Sequence, residues 1–307
     1  MTEPVRARSQ RAGHVLSLPA YRLASTVVRA LPGRVTAAAE RPLGAALTMA
    51  LPARRRLVAS HLRRVHGPGL VGAELQAEVR RAFESYVRYW IESFRLPALP
   101  RAEIRARMWA QGLEHLDAAL ARGRGAILAL PHLGGWDFGG AWLATQGHPL
   151  TVVVEPVQPP GLLEWFTALR SEVGLTVVPL GPDAGSEVLR ALRANRAVAL
   201  LADRHVGGSG VEVEFFGERT TLPAGPVTLA LRAGAAVLPT AVYFEGRHGH
   251  MGLIRPPLVL DRSGSLRHDV ARLTSELAHE LEVLIRRAPD QWHMFQPNWP
   301  SDHEPTD

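Results

Sequence analysis

The stretch ALPHLGGWDFGGAW, residues 129–142, sets His132 and Asp137 among two pairs of glycines and two tryptophans, directly after an apolar run. A second apolar run, AVALLADRH, ends on Asp203, Arg204 and His205. Neutral imidazole accepts a proton near pH 7, and a neighbouring carboxylate fixes its tautomer and steadies the imidazolium, so a His–Asp pair is a device for deprotonating a hydroxyl. Pro131 stiffens the chain before His132, and Gly134 and Gly135 let a substrate approach the main chain closely. Asp137 falls where the next helix should begin. There a carboxylate caps free N–H groups, hydrogen-bonds the imidazole, or does both. Asp203 also has two readings: it orients His132 from the opposite side, or it pairs with Arg204. The plainer alternative for the whole stretch is a capping aspartate beside a structural histidine.

The residues the chain lacks narrow the chemistry. All 35 basic residues are arginine and there is no cysteine. Without lysine there is no P-loop and no Schiff-base enzyme, and without cysteine no thiol nucleophile, disulfide or thiolate-ligated metal. No G-x-S-x-G elbow, H-E-x-x-H pair or G-x-G-x-x-G fingerprint is present. His148, His205, His248 and His250 lack metal-ligand spacing, and RHGH (247–250) reads as a hairpin turn. The chemistry left is a His/Asp general base acting without a covalent intermediate, without a metal and without a cofactor.

The elements that must position these residues are α/β in pattern. Strand-like runs fall at 126–130, 150–155, 175–180, 197–202, 211–216, 236–244 and 250–254, and helical patterns at 136–146, 160–173, 185–195, 224–233 and 266–287. Strands separated by helices of this length imply crossover connections, hence a mostly parallel central sheet flanked by helices. VEVEFF (211–216) alternates cleanly and reads as an edge or antiparallel strand with one wet face. Upstream, residues 72–96 form a long amphipathic helix bearing Val79, Phe83, Val87, Trp90, Ile91 and Phe94, stopped by Pro97. The Pro/Arg-rich 97–107 reads as a possible joint. In such sheets ligands gather beyond the carboxyl ends of the strands, which is where His132 and Asp203 fall.

These motifs are familiar as a set. PHLGGWD resembles the H-x-x-x-x-[DE] signature of glycerolipid-type acyltransferases, in the branch holding the lipid A late acyltransferases and the actinobacterial phosphatidylinositol mannoside acyltransferases. YVRYWIESFRLP, LLADR, GVEVEFFGERTTLPAGPVTLALRAGAAVLP and APDQWHMFQPNW agree in order, so the likeness covers most of residues 75–300. The resemblance implies that His132 deprotonates an acceptor hydroxyl, which then attacks the thioester of an acyl carrier. It implies that Asp203 is the paired carboxylate, that Asp137 supports the site, and that Glu155 and Arg170 line the same pocket. Two departures stand out: Gly135 where Asn often precedes the Trp, and Asp203 where the mannoside branch has Glu. Because a thioester is already activated, the enzyme needs positioning, a base and an oxyanion donor. Arg204, or main-chain N–H groups near Gly134 and Gly135, are the expected donors.

The net charge of +6 is concentrated early: Arg6, Arg8, Arg11, Arg22, Arg29, Arg34, Arg54, Arg55, Arg56, Arg63 and Arg64 face only Glu3 and Glu40 in the first 64 residues. LSLPAYRLASTVVRALPG and RPLGAALTMALPARRR are short, apolar on one side and flanked by arginine, fitting helices that lie in a bilayer interface. Residues 1–70 are therefore expected to form a basic amphipathic membrane-associating region, and 71–307 an α/β acyltransferase domain. The expected activity is transfer of a long-chain acyl group from acyl-CoA to a sugar hydroxyl of a membrane glycolipid, a phosphatidylinositol mannoside, at the cytoplasmic face of the cell membrane. The alternative within the superfamily uses acyl carrier protein and a lipid A precursor; a metal-dependent hydrolase on His132, Asp137 and Asp203 is the alternative of another class. A third possibility is a non-enzymatic protein binding membrane or nucleic acid through its arginines, but no aromatics interleave with those arginines, so no nucleic-acid partner is expected.

Overall fold

Five apolar runs that could be covered on both faces become the parallel strands of one sheet. The computed structural model describes residues 18–155, 161–208 and 210–303; Arg6, Arg8 and Arg11 lie outside the described residues. Strands β1 (Met108–Gln111), β2 (Ala126–Leu130), β3 (Leu150–Val154), β4 (Leu175–Pro179), β5 (Ala197–Leu201), β8 (Ala236–Glu245) and β9 (Gly249–Ile254) make a seven-stranded sheet in the order β1-β9-β8-β2-β5-β3-β4. All neighbours are parallel except β8 and β9, which form the hairpin read at RHGH. Strand β2 is buried at every position. With its period of two it sends Ile127 and Ala129 into one core and Ala126, Leu128 and Leu130 into the other.

Helices α9 (Ala184–Arg193), α10 (Gly225–Ala233) and α11 (Leu266–Arg286) cover the first face, and α5 (Arg101–Ala106), α6 (Leu113–Ala121) and α7 (Trp136–Thr145) the second. Two strands are absent from the pattern reading. β1 is only four residues, Met-Trp-Ala-Gln, too short to show a period. β7 (Glu218–Pro223) carries Glu218, Arg219 and a terminal proline; it pairs antiparallel with β6 (Gly210–Phe215) in a separate two-stranded sheet. That pairing gives VEVEFF its wet face, with Val213 and Phe215 buried. Residues 97–107 are not a joint: a short 3-10 turn and α5 anchor Leu96 and Ile104 in the core.

The basic leader folds into α1 (Leu18–Ala30), α2 (Gly33–Ala50) and α3 (Pro52–His66), all packed on α4 (Gly72–Arg95). RPLGAALTMALPARRR is thus two helices rather than one, because Pro52 cannot continue a helix but can begin the next. Gly44 lets α2 close on α4, since a Cβ there would meet the Glu84 backbone at 2.7 Å. No helix among the described residues is long and apolar enough to cross a membrane.

One polar group opposes the α2–α4 contact. Burial pushes the Glu40 carboxyl up to about 7, with Arg88 and Arg247 pulling it down and Glu92 pushing it up. An acid whose folded value is raised stabilises the fold fully below its unfolded value and progressively less as pH rises from there through about 7. Glu40→Gln is therefore expected to raise the melting temperature by about 2 °C or more near pH 8.5 and by much less near pH 5, which paired thermal melts would measure.

Candidate active site

Register alone brings the two predicted residues together. Leu130 at the end of β2 pairs with Leu201 at the end of β5, and each chain then runs two residues further, to His132 and to Asp203. The ladder continues one step past the strands through Ala202 N–H donating to the Leu130 carbonyl at 2.8 Å. His132 Nδ1 lies 2.7 Å from Asp203 Oδ1. The main-chain N–H of His132 donates to Asp203 Oδ2 at 2.8 Å, and Trp292 Nε1–H donates to the same oxygen at 2.8 Å.

Asp203 is fully buried. Burial by itself raises its carboxyl, but the His132 ring, the indole N–H and the main-chain N–H together hold it below its ordinary value. An ionised carboxylate only accepts, so Nδ1 carries a ring proton, and in the neutral imidazole Nε2 is then the nitrogen with the lone pair. Nε2 makes no hydrogen bond among the described residues, and the ring lines a cavity. The reading in which Asp203 pairs with Arg204 does not hold.

Sequence reasoning missed the support behind this pair. Trp292 and His293 belong to the closing WHMFQPNW; His293 N–H donates to the His132 carbonyl at 2.7 Å, and Asn298 Nδ2 donates to the Asp203 carbonyl at 3.0 Å. Polar residues inside an otherwise apolar, aromatic closing segment were the available signal. Burial above all, with the His132 ring nearby, pushes the His293 ring down to about 3, so it stays neutral beside the partly exposed imidazole.

Asp137 sits elsewhere than the spacing allowed for. It is the second residue of α7, but among the described residues it makes no hydrogen bond to His132. Its carboxylate takes a two-point contact from Arg170 on α8 (Leu162–Glu172), Nε to Oδ1 at 2.8 Å and Nη2 to Oδ2 at 3.1 Å. Tyr89 Oη–H, from α4, donates to Oδ2 at 2.9 Å. Tyr89 was not singled out in the sequence; burial, and then the Asp137 charge, push its phenol well above the ordinary value. Its ring stacks on Trp136 at 4.0 Å, and Trp136 meets the His132 ring edge-on at 5.7 Å. These two rings connect the Tyr89–Asp137 hydrogen bond to the imidazole.

The two glycines take a different part from the one expected. Gly134 has φ +60°, and a Cβ there would lie 2.0 Å from the Val242 carbonyl oxygen. A Cβ on Gly135 would meet the His250 ring at 2.8 Å. The protein's own chain approaches them closely. Their N–H groups donate to the Gln291 and Val242 carbonyls at 2.9 and 3.0 Å, so neither is free to meet an oxyanion. Arg204 pairs through Nη2 with Glu155 beyond the end of β3.

Between α7 and the sheet lies a cavity of about 220 Å³. Its wall crosses the strands from Val152 and Val154 of β3, past Leu201, Leu130 and Val242, to Gly252 of β9 and Ala110 of β1. Glycines on α7 allow its close seat: a Cβ on Gly139 would lie 2.5 Å from Val242 Cγ2. The cavity is apolar apart from a group of polar side chains that includes His132, Asp137, Glu155 and Arg170. Among the described residues no three His, Asp or Glu side chains gather as metal ligands would. The metal-hydrolase arrangement would need Asp137 beside His132 and Asp203, and Asp137 is turned to Arg170 instead.

Comparison with known proteins shows the family to which the chain belongs. Residues 13–301 match the family model described as bacterial lipid A biosynthesis acyltransferase. The chain is 44% identical over 226 residues, covering 72% of it and 70% of the relative, to a phosphatidylinositol mannoside acyltransferase of Mycobacterium tuberculosis (strain ATCC 25618 / H37Rv). It is 41% identical over 227 residues to the protein of that name from Mycolicibacterium smegmatis, covering 73% of each. A lipid A biosynthesis acyltransferase of Haemophilus influenzae is 30% identical over 186 residues, covering 59% of this chain and 55% of that one.

Proposed function

The chain belongs to the bacterial lipid A biosynthesis acyltransferase family, and from that premise we propose that it moves a long-chain acyl group from acyl-CoA to a sugar hydroxyl of a phosphatidylinositol mannoside. The observation that carries the mechanism is the imidazole with Nδ1 held by a buried carboxylate and Nε2 turned to an apolar cavity. The acceptor hydroxyl gives its proton to His132 Nε2 as its oxygen attacks the thioester carbonyl; the carbon–sulfur bond then breaks and the imidazolium returns the proton to the departing thiolate. Asp203 steadies the imidazolium. Arg204 uses one nitrogen on Glu155, and its remaining N–H groups serve the oxyanion in place of the occupied glycine amides. Asp137 and Arg170 shape the polar mouth of the cavity.

The acyl chain lies across the sheet. Six strands from β3 to β1 are five spacings apart, about 24 Å at the usual inter-strand distance, which suits a long extended chain. Ala110→Leu at the β1 end is accordingly expected to lower palmitoyl transfer about tenfold relative to shorter donors, read from competition between acyl-CoAs of different length.

Residues 1–70 form the membrane-associating region in this reading and 71–307 the acyltransferase domain. Helices α1 and α2 expose Leu23, Val27, Val35, Leu43 and Met49 beside their arginines, as a peripheral attachment to the anionic cytoplasmic leaflet needs. The identity with the mannoside enzymes favours that acceptor over a lipid A precursor. Purified protein offered palmitoyl-CoA and palmitoyl-acyl carrier protein, each with both acceptors, tests the assignment. Acylated mannoside from the CoA donor is expected; product only from acyl carrier protein and the lipid A precursor would replace it.

A further inference from the structure

Away from the cavity, α1 and α8 meet along a crevice of about 290 Å³ whose composition the acyl-transfer reaction does not use. Arg22, Ser25 and Arg29 come from α1, and Trp165 and Glu172 from α8. Positions 22, 25, 26 and 29 follow an i, i+3, i+4, i+7 spacing, so they share one face of α1. A second face, Tyr21, Ala24 and Val28, docks the helix on Phe94, Leu162 and Phe166. The third face exposes Leu23 and Val27, 66% and 46% accessible. One helix therefore carries an anchored face, a cationic crevice and, next to the crevice, an apolar stripe open to the surroundings.

The crevice is preorganised and in cationic excess. Arg29 Nε–H donates to the Phe94 carbonyl at 2.9 Å, which fixes the guanidinium, while its Nη2 is buried and makes no hydrogen bond among the described residues. The Glu172 carboxylate stands 3.7 Å from that nitrogen, beyond hydrogen-bond reach, and is half exposed. Arg22 forms no ion pair among the described residues, and Ser25 is buried against the crevice wall. Two guanidiniums and a hydroxyl facing one opening are matched by an anion with several acceptor oxygens, and a phosphodiester is that group. The apolar stripe next to it selects a phosphodiester that arrives attached to acyl tails, and an indole at the rim fits the headgroup level of a bilayer.

We propose that the α1–α8 crevice is a binding site for the phosphodiester headgroup of an anionic membrane phospholipid, with Arg22, Arg29 and Ser25 as its donors and Leu23 and Val27 seated among the acyl chains. Helix α8 is the wall shared with the acyl cavity: Phe166 and Arg170 face the cavity, while Trp165 and Glu172 face the crevice. A lipid held there fixes the mouth of the cavity about one helix diameter, roughly 10 Å, from the headgroup plane. The site builds on the membrane-surface reading above but concerns one defined lipid contact rather than the diffuse charge of the N-terminal region.

The test is direct binding of the full-length protein, with no donor or acceptor present, to vesicles of phosphatidylcholine containing phosphatidylglycerol. Ser25→Ala changes no charge and is expected to weaken binding several-fold. Arg22→Gln should weaken it more than the charge-matched controls Arg34→Gln and Arg41→Gln, which lie outside the crevice. Glu172→Gln should strengthen it more than Glu164→Gln. Inorganic phosphate alone should compete poorly, because it brings no tails for Leu23 and Val27. If the parent protein binds anionic vesicles but Ser25→Ala and Arg22→Gln match parent and controls, the crevice site is overturned and the general membrane reading survives. If the parent binds neutral and anionic vesicles equally, both fall. Strong competition by free phosphate would assign the crevice to a soluble anion and overturn the lipid proposal.

Discussion

Asp203→Asn is expected to lower the rate constant of acyl transfer about 10⁴-fold, and His132→Ala by about 10³- to 10⁴-fold, each with the fold retained. Three N–H donors converge on the Asp203 carboxylate, from the His132 ring, the His132 main chain and Trp292. An amide offers one acceptor oxygen and two further hydrogens, so at least one donor would face another donor in a site closed to water. The imidazole can relieve that conflict by moving its proton to Nε2, which removes the lone pair that accepts from the alcohol. The same mismatch leaves a buried donor unpaired, lowering stability by about 1–3 kcal/mol, visible as a modest fall in melting temperature. Because the two residues act as one unit, the double variant should be little slower than either single one. Initial rates with labelled palmitoyl-CoA, alongside circular dichroism of each variant, provide the measurement. Rates within tenfold of the parent for either single variant would remove the general base from the mechanism.

Much of this pair was legible in the sequence because β2 is buried on both faces and β5 is buried on one and half-buried against the cavity on the other, so both appear as uninterrupted apolar runs, each followed by a residue able to do chemistry. The choice of partner for His132 was not. It depends on the Leu130–Leu201 register, which joins segments 71 residues apart and leaves no local trace. Spacing left Asp137, five residues away, and Asp203 both open, and it was the resemblance that pointed to Asp203; a helix beginning at Trp136 turns the Asp137 carboxylate to α4 and α8. The glycines misled for a related reason. Gly134 and Gly135 do mark a close approach, but a sequence does not say whether the approaching atom belongs to a ligand or to Val242 and His250. Strands β1 and β7 escaped because one is four residues long and the other half polar, and both take their β conformation from partners distant in sequence or across a turn.

Asp137→Ala is expected to destabilise the protein by about 3–5 kcal/mol, because it leaves the Arg170 guanidinium buried without its carboxylate. The Tyr89 hydroxyl loses its acceptor in the same step. If Asp137 acts through Arg170 and Tyr89, as the contacts have it, removing the cation as well should restore much of the loss: Asp137→Ala/Arg170→Leu should be more stable than the sum of the two single changes predicts, a coupling of up to about 3 kcal/mol in a double-mutant cycle. The remaining folded enzyme should keep a measurable rate, since His132 and Asp203 are untouched by either substitution. A direct role on the imidazole predicts the opposite pattern, with a rate loss as deep as that of Asp203→Asn and little change in denaturant midpoint. Urea unfolding of the four proteins of the cycle, together with their transfer rates, separates a carboxylate that holds α4, α7 and α8 around the mouth of the cavity from one that works on the proton.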